Sequence, residues 1–349
     1  MSRFRRAIAG CIAAAFFVAG FSSTALAQSG AGSQKLIKMN IGGPSAGYWN
    51  TYLAHDLGLY KKHGIEPNFF WFTSGAPLMA ALKSDSIDVV VTGLVTVFAL
   101  GQNIPLKILF WELDNAAGEG LLVREGTGIL SYKDIAKAKA VGVMPGTCSQ
   151  VALGMIAKKV GLDYKKLNTI NLAPPLFANA FTGRSIDAAT GWAPWSLMPA
   201  PGVKVVSWDS DYGGVCPSKI AARPAFLAAN PDVGLRLLQI QEEAREIVRK
   251  DPKRAIDALV KYLKITEPVA KEFYEKHCCS KMPTVAEQLD PNHRYSMVAK
   301  RGGMAQQLFV AAEVFHETGT IPAPLSWETI EAAIDTSVLR AYATGARAK

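Results

Sequence analysis

Beyond its amino terminus, the sequence lacks any tract of like charges. Its 38 Lys and Arg residues and its 29 Asp and Glu residues alternate along the chain instead of forming blocks. Because nucleic-acid-binding domains concentrate basic residues on one face or in one segment, we expect no nucleic-acid partner. Downstream of the amino terminus, no run approaches the roughly 18 uncharged apolar residues of a membrane helix. A chain of 349 residues with 49% hydrophobic side chains is large enough for two cored lobes.

The usual signatures of enzyme active sites are also missing. There is no GxSxG elbow, no P-loop and no HExxH pair, and Gly118-Glu119-Gly120 lacks the third glycine of a dinucleotide fingerprint. The five histidines lie far apart, so no pair has metal-ligand spacing. His277-Cys278-Cys279 is the one reactive cluster, and we interpret it as a helix end. We therefore predict a protein that is not an enzyme, without catalytic residue, metal or cofactor.

Cysteine is scarce. Apart from Cys11 near the amino terminus, the chain has Cys148, Cys216, Cys278 and Cys279. These are too few for a fold held together by disulfides, although they suit an oxidising compartment. The sequence leaves open whether any of them pair.

The amino terminus indicates export. Arg3-Phe4-Arg5-Arg6 is basic, residues 7–21 are apolar, and Ala25-Leu26-Ala27 is a small-x-small cleavage site. We expect a signal peptide over residues 1–27, cleaved after Ala27. Two other interpretations stay open, since Ile8-Ala9-Gly10-Cys11 is similar to a lipoprotein box and Arg5-Arg6 to a twin-arginine signal.

From Lys35 onward, segments typical of strands alternate with segments typical of helices. Strands are predicted over 36–41, 67–72, 88–92, 106–111, 140–143, 167–172, 188–191 and 203–207, and helices over 48–63, 77–82, 95–101, 149–160 and 176–182. This order predicts an α/β fold of two lobes, with mostly parallel sheets covered on both faces. From Ala225 the pattern is purely helical, so this carboxy-terminal tail must pack on a lobe already formed.

Three turns of small residues each follow a predicted strand and precede a predicted helix. They are Gly42-Gly43-Pro44-Ser45, Thr73-Ser74-Gly75-Ala76-Pro77 and Pro145-Gly146-Thr147-Cys148-Ser149. Free backbone N–H groups at a helix start bind anions, and ligands of open α/β sheets bind at the carboxyl ends of strands. Aromatic residues fall at the same strand ends, notably Tyr48-Trp49, Trp192 and Trp195. These turns and aromatic residues are therefore the candidate ligand site.

The order and spacing of many short segments resemble one family of binding proteins. The segments are Phe72-Thr73-Ser74-Gly75-Ala76-Pro77, Ala80-Ala81-Leu82-Lys83-Ser84, Ile87-Asp88-Val89, Glu119-Gly120-Leu121-Leu122-Val123-Arg124, Ser131-Tyr132-Lys133-Asp134-Ile135, Val141-Gly142-Val143-Met144-Pro145-Gly146-Thr147, Ile186-Asp187-Ala188, Trp192-Ala193-Pro194-Trp195 and Phe226-Leu227-Ala228-Ala229-Asn230-Pro231. In this order they resemble the periplasmic substrate-binding proteins of ABC importers, of the taurine, alkanesulfonate and nitrate type. The resemblance extends from about Lys35 to the carboxy-terminal helices.

The resemblance implies a type II clamshell. Residues 28–122 would form the first part of lobe 1, residues 123–215 lobe 2, and residues 216–349 the return crossing and the helices that complete lobe 1. Crossings between lobes would lie near Leu121 to Arg124 and near Cys216 to Ala222. The implied ligand-binding residues are Ser45, Tyr48, Trp49, Ser74, Gly75, Ala76, Glu119, Gly146, Thr147, Cys148, Trp192 and Trp195.

The resemblance also implies roles within that site. Glu119 would meet a ligand amine, while the turns at Ser74-Gly75 and at residues 146–148 would receive a sulfonate. The chain departs from the taurine branch in having Trp192-Ala193-Pro194 in place of Trp-Asp-Pro, Gln150 in place of a histidine and Cys148 in place of a threonine. The missing aspartate weakens the case for taurine itself.

The expected function is that of a monomeric periplasmic protein that captures a small organic anion. The anion would be a sulfonate, namely taurine, an alkanesulfonate or an aromatic sulfonate, passed to an inner-membrane ABC permease with its ATPase. Nitrate, an aromatic carboxylate and a thiamine pyrimidine precursor are alternative ligands, and sensing is an alternative to import. The alternative of another class is an enzyme similar to the thiamine-pyrimidine synthases.

Overall fold

The computed structural model describes residues 36–73, 75–277 and 282–348, with backbone only for residues 75 and 76. The expected signal peptide, Ser74, Cys278 and Cys279 lie outside the described residues. No helix within these ranges is both long and apolar enough to cross a membrane.

The described chain forms two five-stranded sheets. The strands are β1 (Ile37–Pro44), β2 (Ile65–Phe72), β3 (Val89–Thr92), β4 (Lys107–Asp114), β5 (Glu119–Arg124), β6 (Val141–Val143), β7 (Thr169–Asn171), β8 (Ala188–Trp192), β9 (Val203–Trp208) and β10 (Pro217–Ala222). The first sheet has the order β2-β1-β3-β10-β4 and the second the order β7-β6-β8-β5-β9. We call each sheet, with the helices packed on it, the first and the second lobe.

Helices connect and cover the strands. They are α1 (Trp49–Asp56), α2 (Leu59–Lys62), α3 (Gly75–Lys83), α4 (Val95–Gly101), α5 (Cys148–Lys159), α6 (Phe177–Thr182), α7 (Pro224–Ala229), α8 (Val233–Lys250), α9 (Lys253–Leu263), α10 (Glu267–Glu272), α11 (Val285–Leu289), α12 (Gly303–Glu317), α13 (Trp327–Ala333) and α14 (Ser337–Ala343). A π-helical turn, Phe273–His277, follows α10.

The predicted α/β fold of two lobes is confirmed, and the sheets prove to be mixed. In the first sheet β1 pairs in parallel with β2 and β3, whereas β10 runs antiparallel to β3 and β4. In the second sheet β6 pairs in parallel with β7 and β8, whereas β5 runs antiparallel to β8 and β9. The antiparallel strands are the two that follow a crossing between lobes, because each enters its sheet from the opposite end.

The crossings lie between strands of different sheets. The chain leaves β4 after Asp114 and enters β5 at Glu119, and it returns between Trp208 and Pro217. The residues of β5 pack on both faces of the second sheet, since Leu121 belongs to one hydrophobic cluster and Leu122 to another.

The predicted helix over 48–63 is divided into α1 and α2. Gly58 lies between them with φ at +67°, a conformation that an ordinary residue adopts only with strain. This glycine therefore separates α1 from α2 and changes the direction of the chain between them.

The carboxy-terminal helices complete the first lobe and also reach the second. Helices α8 and α9 pack on α1, while α12 contacts both α4 of the first lobe and α5 of the second. Accordingly, the main hydrophobic core includes side chains of both lobes, among them Leu308 and Phe315 of α12 and Val151 of α5.

Candidate functional site

A narrow cleft lies where the carboxyl ends of several strands meet. Its empty space, which includes open solvent at the mouth, is ≈ 470 Å³. Mostly apolar residues line it, namely Pro44, Ala46, Gly47, Tyr48, Thr92, Gly93, Leu94, Val95, Asn115, Gly118, Glu119, Thr147, Cys148, Trp192, Ala193, Cys216 and Phe273. No lysine, arginine or histidine is among these described lining residues.

Glu119 is the acidic side chain of the cleft. It is the first residue of β5 and is buried. Its Oε2 accepts a hydrogen bond of 2.7 Å from the Ser149 hydroxyl, and its Oε1 lies 3.4 Å from the sulfur of Cys216. Burial raises the pKa of Glu119, and the nearby Asp209 carboxylate raises that pKa further. A cationic group of a ligand would therefore be stabilised here.

Asp209 lies behind Glu119 at the start of the return crossing. It is buried, and its Oδ1 accepts a hydrogen bond from the Tyr132 hydroxyl. Burial also raises the pKa of Asp209. The two carboxyl groups thus give this corner of the cleft a strong preference for bound protons or cations.

A disulfide forms part of the cleft wall. It joins Cys148, the first residue of α5, to Cys216, which directly precedes β10, and the two Cα atoms are 5.2 Å apart. Gly93 lies against it, since a Cβ at this position would come within 2.7 Å of the Cys148 sulfur. The bond ties the helix start in the second lobe to the crossing segment.

The turn before α5 is ordered by its own hydrogen bonds. The Gly146 N–H donates to the side-chain oxygen of Gln150 at 2.8 Å, and the Thr147 hydroxyl donates to the Met144 carbonyl at 2.7 Å. The Gln150 amide nitrogen in turn donates to the Thr320 hydroxyl at 2.7 Å. Gln150 therefore connects the second lobe to the segment that follows α12.

Two tryptophans of the second lobe close over the turn after β1. The indole N–H groups of Trp192 and Trp195 both point to the Ser45 carbonyl, at 3.2 and 3.4 Å. Trp192 lines the cleft, whereas Trp195 lies outside its lining. The lobes are thus in direct contact at the edge of the cleft.

Close packing shapes the opposite wall. A Cβ on Gly47 would lie 2.0 Å from Cε1 of Phe273, so only glycine lets this ring approach the turn. Tyr48 follows, with its ring stacked 6.2 Å from that of Trp71. The first lobe therefore contributes a tightly packed, mainly apolar surface.

The predicted site residues do not all line the cleft. Tyr48, Glu119, Thr147, Cys148 and Trp192 line the cleft. Ser45, Gly146 and Trp195 lie beside it and act through the hydrogen bonds given above, while Trp49 is buried in the core with its ring against Tyr274. Gly75 and Ala76 begin α3, and Ser74 is outside the described residues. The role of every one of them in binding stays a prediction.

Several lining residues were not predicted from the sequence. The turn Thr92-Gly93-Leu94 follows a predicted strand, so the rule applied to the other three turns would have found it. Phe273 had no local signal, because it comes from the helical tail and reaches the cleft through tertiary packing. His277 of the same π-helical turn lies beside the cleft lining, with Nδ1 3.1 Å from the Ala117 carbonyl oxygen and its ring centroid 4.3 Å from that of Trp208.

Proteins with related sequences are named for binding and for synthesis. A Brucella abortus protein named a binding protein is 29% identical over 230 residues, which cover 63% of this chain and 70% of that protein. A Bacillus subtilis protein named for binding aliphatic sulfonates is 26% identical over 189 residues, 53% of this chain and 56% of that protein. The 4-amino-5-hydroxymethyl-2-methylpyrimidine phosphate synthase of Schizosaccharomyces pombe is 27% identical over 221 residues, with coverages of 58% and 62%.

Solved structures share the fold. The alkanesulfonate-binding protein of Xanthomonas axonopodis pv. citri, bound to MOPS, superposes with a TM-score of 0.71 at 16% identity, covering 87% of this chain and 99% of that chain. The periplasmic aliphatic sulphonate binding protein of Escherichia coli gives a TM-score of 0.66 at 22% identity, with coverages of 84% and 91%. The expected periplasmic-binding-protein fold is confirmed. Residues 46–255, more than half of the chain, match one family profile, and the chain belongs to the NMT1/THI5-like family.

Proposed function

We propose that this chain is the periplasmic solute-binding protein of an ABC importer, and that its ligand is a small sulfonate bearing an amine. The proposal rests on Glu119, a buried carboxyl group in the cleft with no lysine, arginine or histidine beside it among the described lining residues. A ligand ammonium would supply the missing positive charge. Relatives and neighbours named for binding sulfonates support the class of the anionic group.

The anionic group would lie at the start of α5. Thr147 and Cys148 line the cleft there, and the 12 residues of this helix direct its positive end towards the ligand. Charge-assisted hydrogen bonds from backbone N–H groups contribute about 1.5 to 3 kcal/mol each. Two or three of them, together with the ammonium at Glu119, reach the roughly 8 kcal/mol of a micromolar complex.

A second acceptor supports the amine. The side-chain oxygen of Asn115 is buried without a hydrogen-bond partner among the described residues, and Asn115 lines the cleft. An ammonium offers three donors, so it would satisfy both this oxygen and the Glu119 carboxylate.

Matched ligands test the proposal by calorimetry. We expect 2-aminoethanesulfonate to bind more tightly than ethanesulfonate, and more tightly than 3-aminopropanoate, which replaces the sulfonate by a carboxylate. Glu119→Gln should weaken the amine-bearing ligand by about 30-fold or more, because one member of a buried charge pair is removed. It should leave ethanesulfonate nearly unchanged.

Glu112→Gln is the matched control. Glu112 is equally buried, in β4 of the first lobe, but does not line the cleft. If 2-aminoethanesulfonate and ethanesulfonate bind with equal affinity, both to the wild type and to Glu119→Gln, the proposal that the ligand bears an amine is overturned. If nitrate, a pyrimidine or an aromatic carboxylate binds and no sulfonate does, the proposal that the ligand is a sulfonate is overturned.

Import and export need tests in cells. We expect deletion of the gene to abolish growth on the bound sulfonate as sole sulfur source, and we expect the mature protein to start at Gln28. The protein acts by binding alone. Conversion of a bound pyrimidine to a new product would instead favour an enzyme, the second candidate that the Schizosaccharomyces pombe relative supports.

A further inference from the structure

Three potential metal ligands meet at the bottom of the cleft. They are the Glu119 carboxylate and the sulfurs of Cys148 and Cys216, whose ligand atoms all lie within 4.8 Å of one another. All three side chains are buried. They come from three distant parts of the chain: the start of β5, the start of α5 and the residue before β10.

The spacing of these atoms is close to what a tetrahedral cation requires. With metal–sulfur and metal–oxygen bonds of about 2.3 and 2.1 Å, a sulfur and an oxygen on one ion lie about 3.6 Å apart. The Cys216 sulfur and Glu119 Oε1 are already 3.4 Å apart. Two thiolates on one ion lie about 3.8 Å apart, which rotation of the cysteine side chains allows once the disulfide is open.

The charge of the site also favours a cation. As a disulfide the two sulfurs are neutral, and the Glu119 carboxyl group contacts the Ser149 hydroxyl and the Cys216 sulfur. As a dithiol the same sulfurs can become thiolates, and three anionic ligands would then surround one position. Soft thiolates with one carboxylate select a thiophilic divalent cation over magnesium or calcium.

We propose that Cys148, Cys216 and Glu119 form a binding site for one thiophilic divalent cation, of the zinc type, when the disulfide is reduced. Three protein ligands leave a fourth position, which faces the cleft. This site shares Glu119 and Cys148 with the organic ligand proposed above, so the metal ion and that ligand would exclude each other. The redox state of the cysteine pair thus decides whether the bottom of the cleft holds a covalent bond or a metal ion.

Each step balances with a phosphine as reductant. The phosphine gives two electrons to the S–S bond, water supplies the oxygen of the phosphine oxide, and two thiols are released. Zn²⁺ then replaces the two thiol protons and any proton held by the Glu119 carboxyl group, so at least two protons appear in solution for each ion bound.

The test measures zinc uptake by the full mature chain, oxidised and phosphine-reduced, by equilibrium dialysis. The reduced protein should bind one Zn²⁺ with release of at least two protons, and the oxidised protein should bind none at this site. Co²⁺ in place of Zn²⁺ should give thiolate-to-metal charge-transfer absorption. Glu119→Gln should weaken uptake at least tenfold.

Cysteine variants identify the ligands. Cys148→Ser and Cys216→Ser should each abolish the charge-transfer absorption, while the double variant Cys278→Ser/Cys279→Ser should retain full uptake. Loss of uptake in that double variant only, or equal uptake in Cys148→Ser and the reduced wild type, would overturn the proposal. Circular dichroism of each variant separates a lost ligand from a lost fold.

Discussion

In the first lobe the strand order is β2-β1-β3-β10-β4, and in the second it is β7-β6-β8-β5-β9, so the strand that follows a crossing lies fourth in both. Their surroundings differ. The first sheet shares one large core with the carboxy-terminal helices, whereas the second is covered by two small clusters, one on each face. The same topology therefore carries a heavily packed lobe and a lightly packed one.

The two lobes also bring different chemistry to the cleft. The first contributes small and apolar residues, such as Ala46, Gly47 and Leu94, whereas the second contributes Glu119, Thr147 and Cys148. The shape of the cleft is thus determined mainly by the first lobe, and its charge mainly by the second. Substitutions in the two lobes should separate stability from ligand chemistry.

The largest effect is expected for the pH dependence of stability, through a buried carboxyl group of the first lobe. Burial raises the pKa of Glu112 from 4.5 to about 8, against opposing hydrogen bonds from Thr51 and Ser218. The folded state binds the proton more tightly than the unfolded state, so this contribution to stability is complete below about pH 4.5 and is lost as pH rises towards 8. Glu112→Gln should remove part of that decline in urea unfolding curves measured from pH 5 to 8, while Glu119 and Asp209 keep the rest.

An exposed carboxylate on the same sheet is the control. Glu66→Gln should keep the slope of the wild type. If Glu112→Gln also keeps that slope, Glu112 is not the group that titrates in this range.

The next largest effect is expected where Gly47 and Phe273 are in close contact at the cleft wall of the first lobe. Gly47→Ala should lower the free energy of unfolding by about 1 to 3 kcal/mol, because the new methyl group overlaps the Phe273 ring. The variant should also weaken ligand binding, since both residues line the cleft. Thermal unfolding and calorimetry measure the two effects.

A second substitution, which removes the Phe273 ring, tests whether the overlap with this ring causes the loss of stability in Gly47→Ala. In a Phe273→Leu background, Gly47→Ala should cost clearly less than in the wild type. Equal costs in both backgrounds would show that the ring is not the obstacle.

A smaller effect is expected where the lobes are joined by Gln150. Gln150→Leu leaves the buried Gly146 N–H without its acceptor and removes the donor to Thr320. The expected loss is about 1 to 2 kcal/mol of unfolding free energy. Thr320→Val removes only one of these hydrogen bonds and should lower the unfolding free energy by less. If denaturant unfolding shows a larger loss for Thr320→Val than for Gln150→Leu, Gln150 does not join the lobes in this way.

The smallest effect is expected at the pair of tryptophans. Trp192→Phe and Trp195→Phe each remove one indole donor to the Ser45 carbonyl, which keeps the other donor. Each should cost about 0.5 to 1.5 kcal/mol of stability. Only Trp192→Phe should also lower the affinity for the ligand, by up to roughly tenfold, because only Trp192 of the two lines the cleft. An equal loss of affinity in Trp195→Phe would refute this distinction.

Much of the fold was predictable because βα units have a local signature. Segments such as Val89–Thr92 and α5 were found from apolar runs, caps and glycine stops. The strands β5 and β10 were missed as strands: no helix follows β5 directly, and both lie in stretches interpreted as crossings. Their antiparallel pairing is decided by where the chain enters the other sheet, which no local pattern records.

The candidate site was predictable only where strand ends define it. Tyr48, Thr147 and Trp192 follow from that rule. Phe273 and the Cys148–Cys216 disulfide do not, because they depend on segments brought together from distant parts of the sequence. Spacing along the chain could not identify Cys216 as the partner of Cys148.

The position of β10 also determines when the first lobe can be finished. This strand lies between β3 and β4 and pairs with both, yet it is made only after the whole second lobe. Until then β3 and β4 have no shared neighbour, and such long-range pairing is formed slowly. A fragment that ends before Pro217 would leave two open strand edges, which invite aggregation.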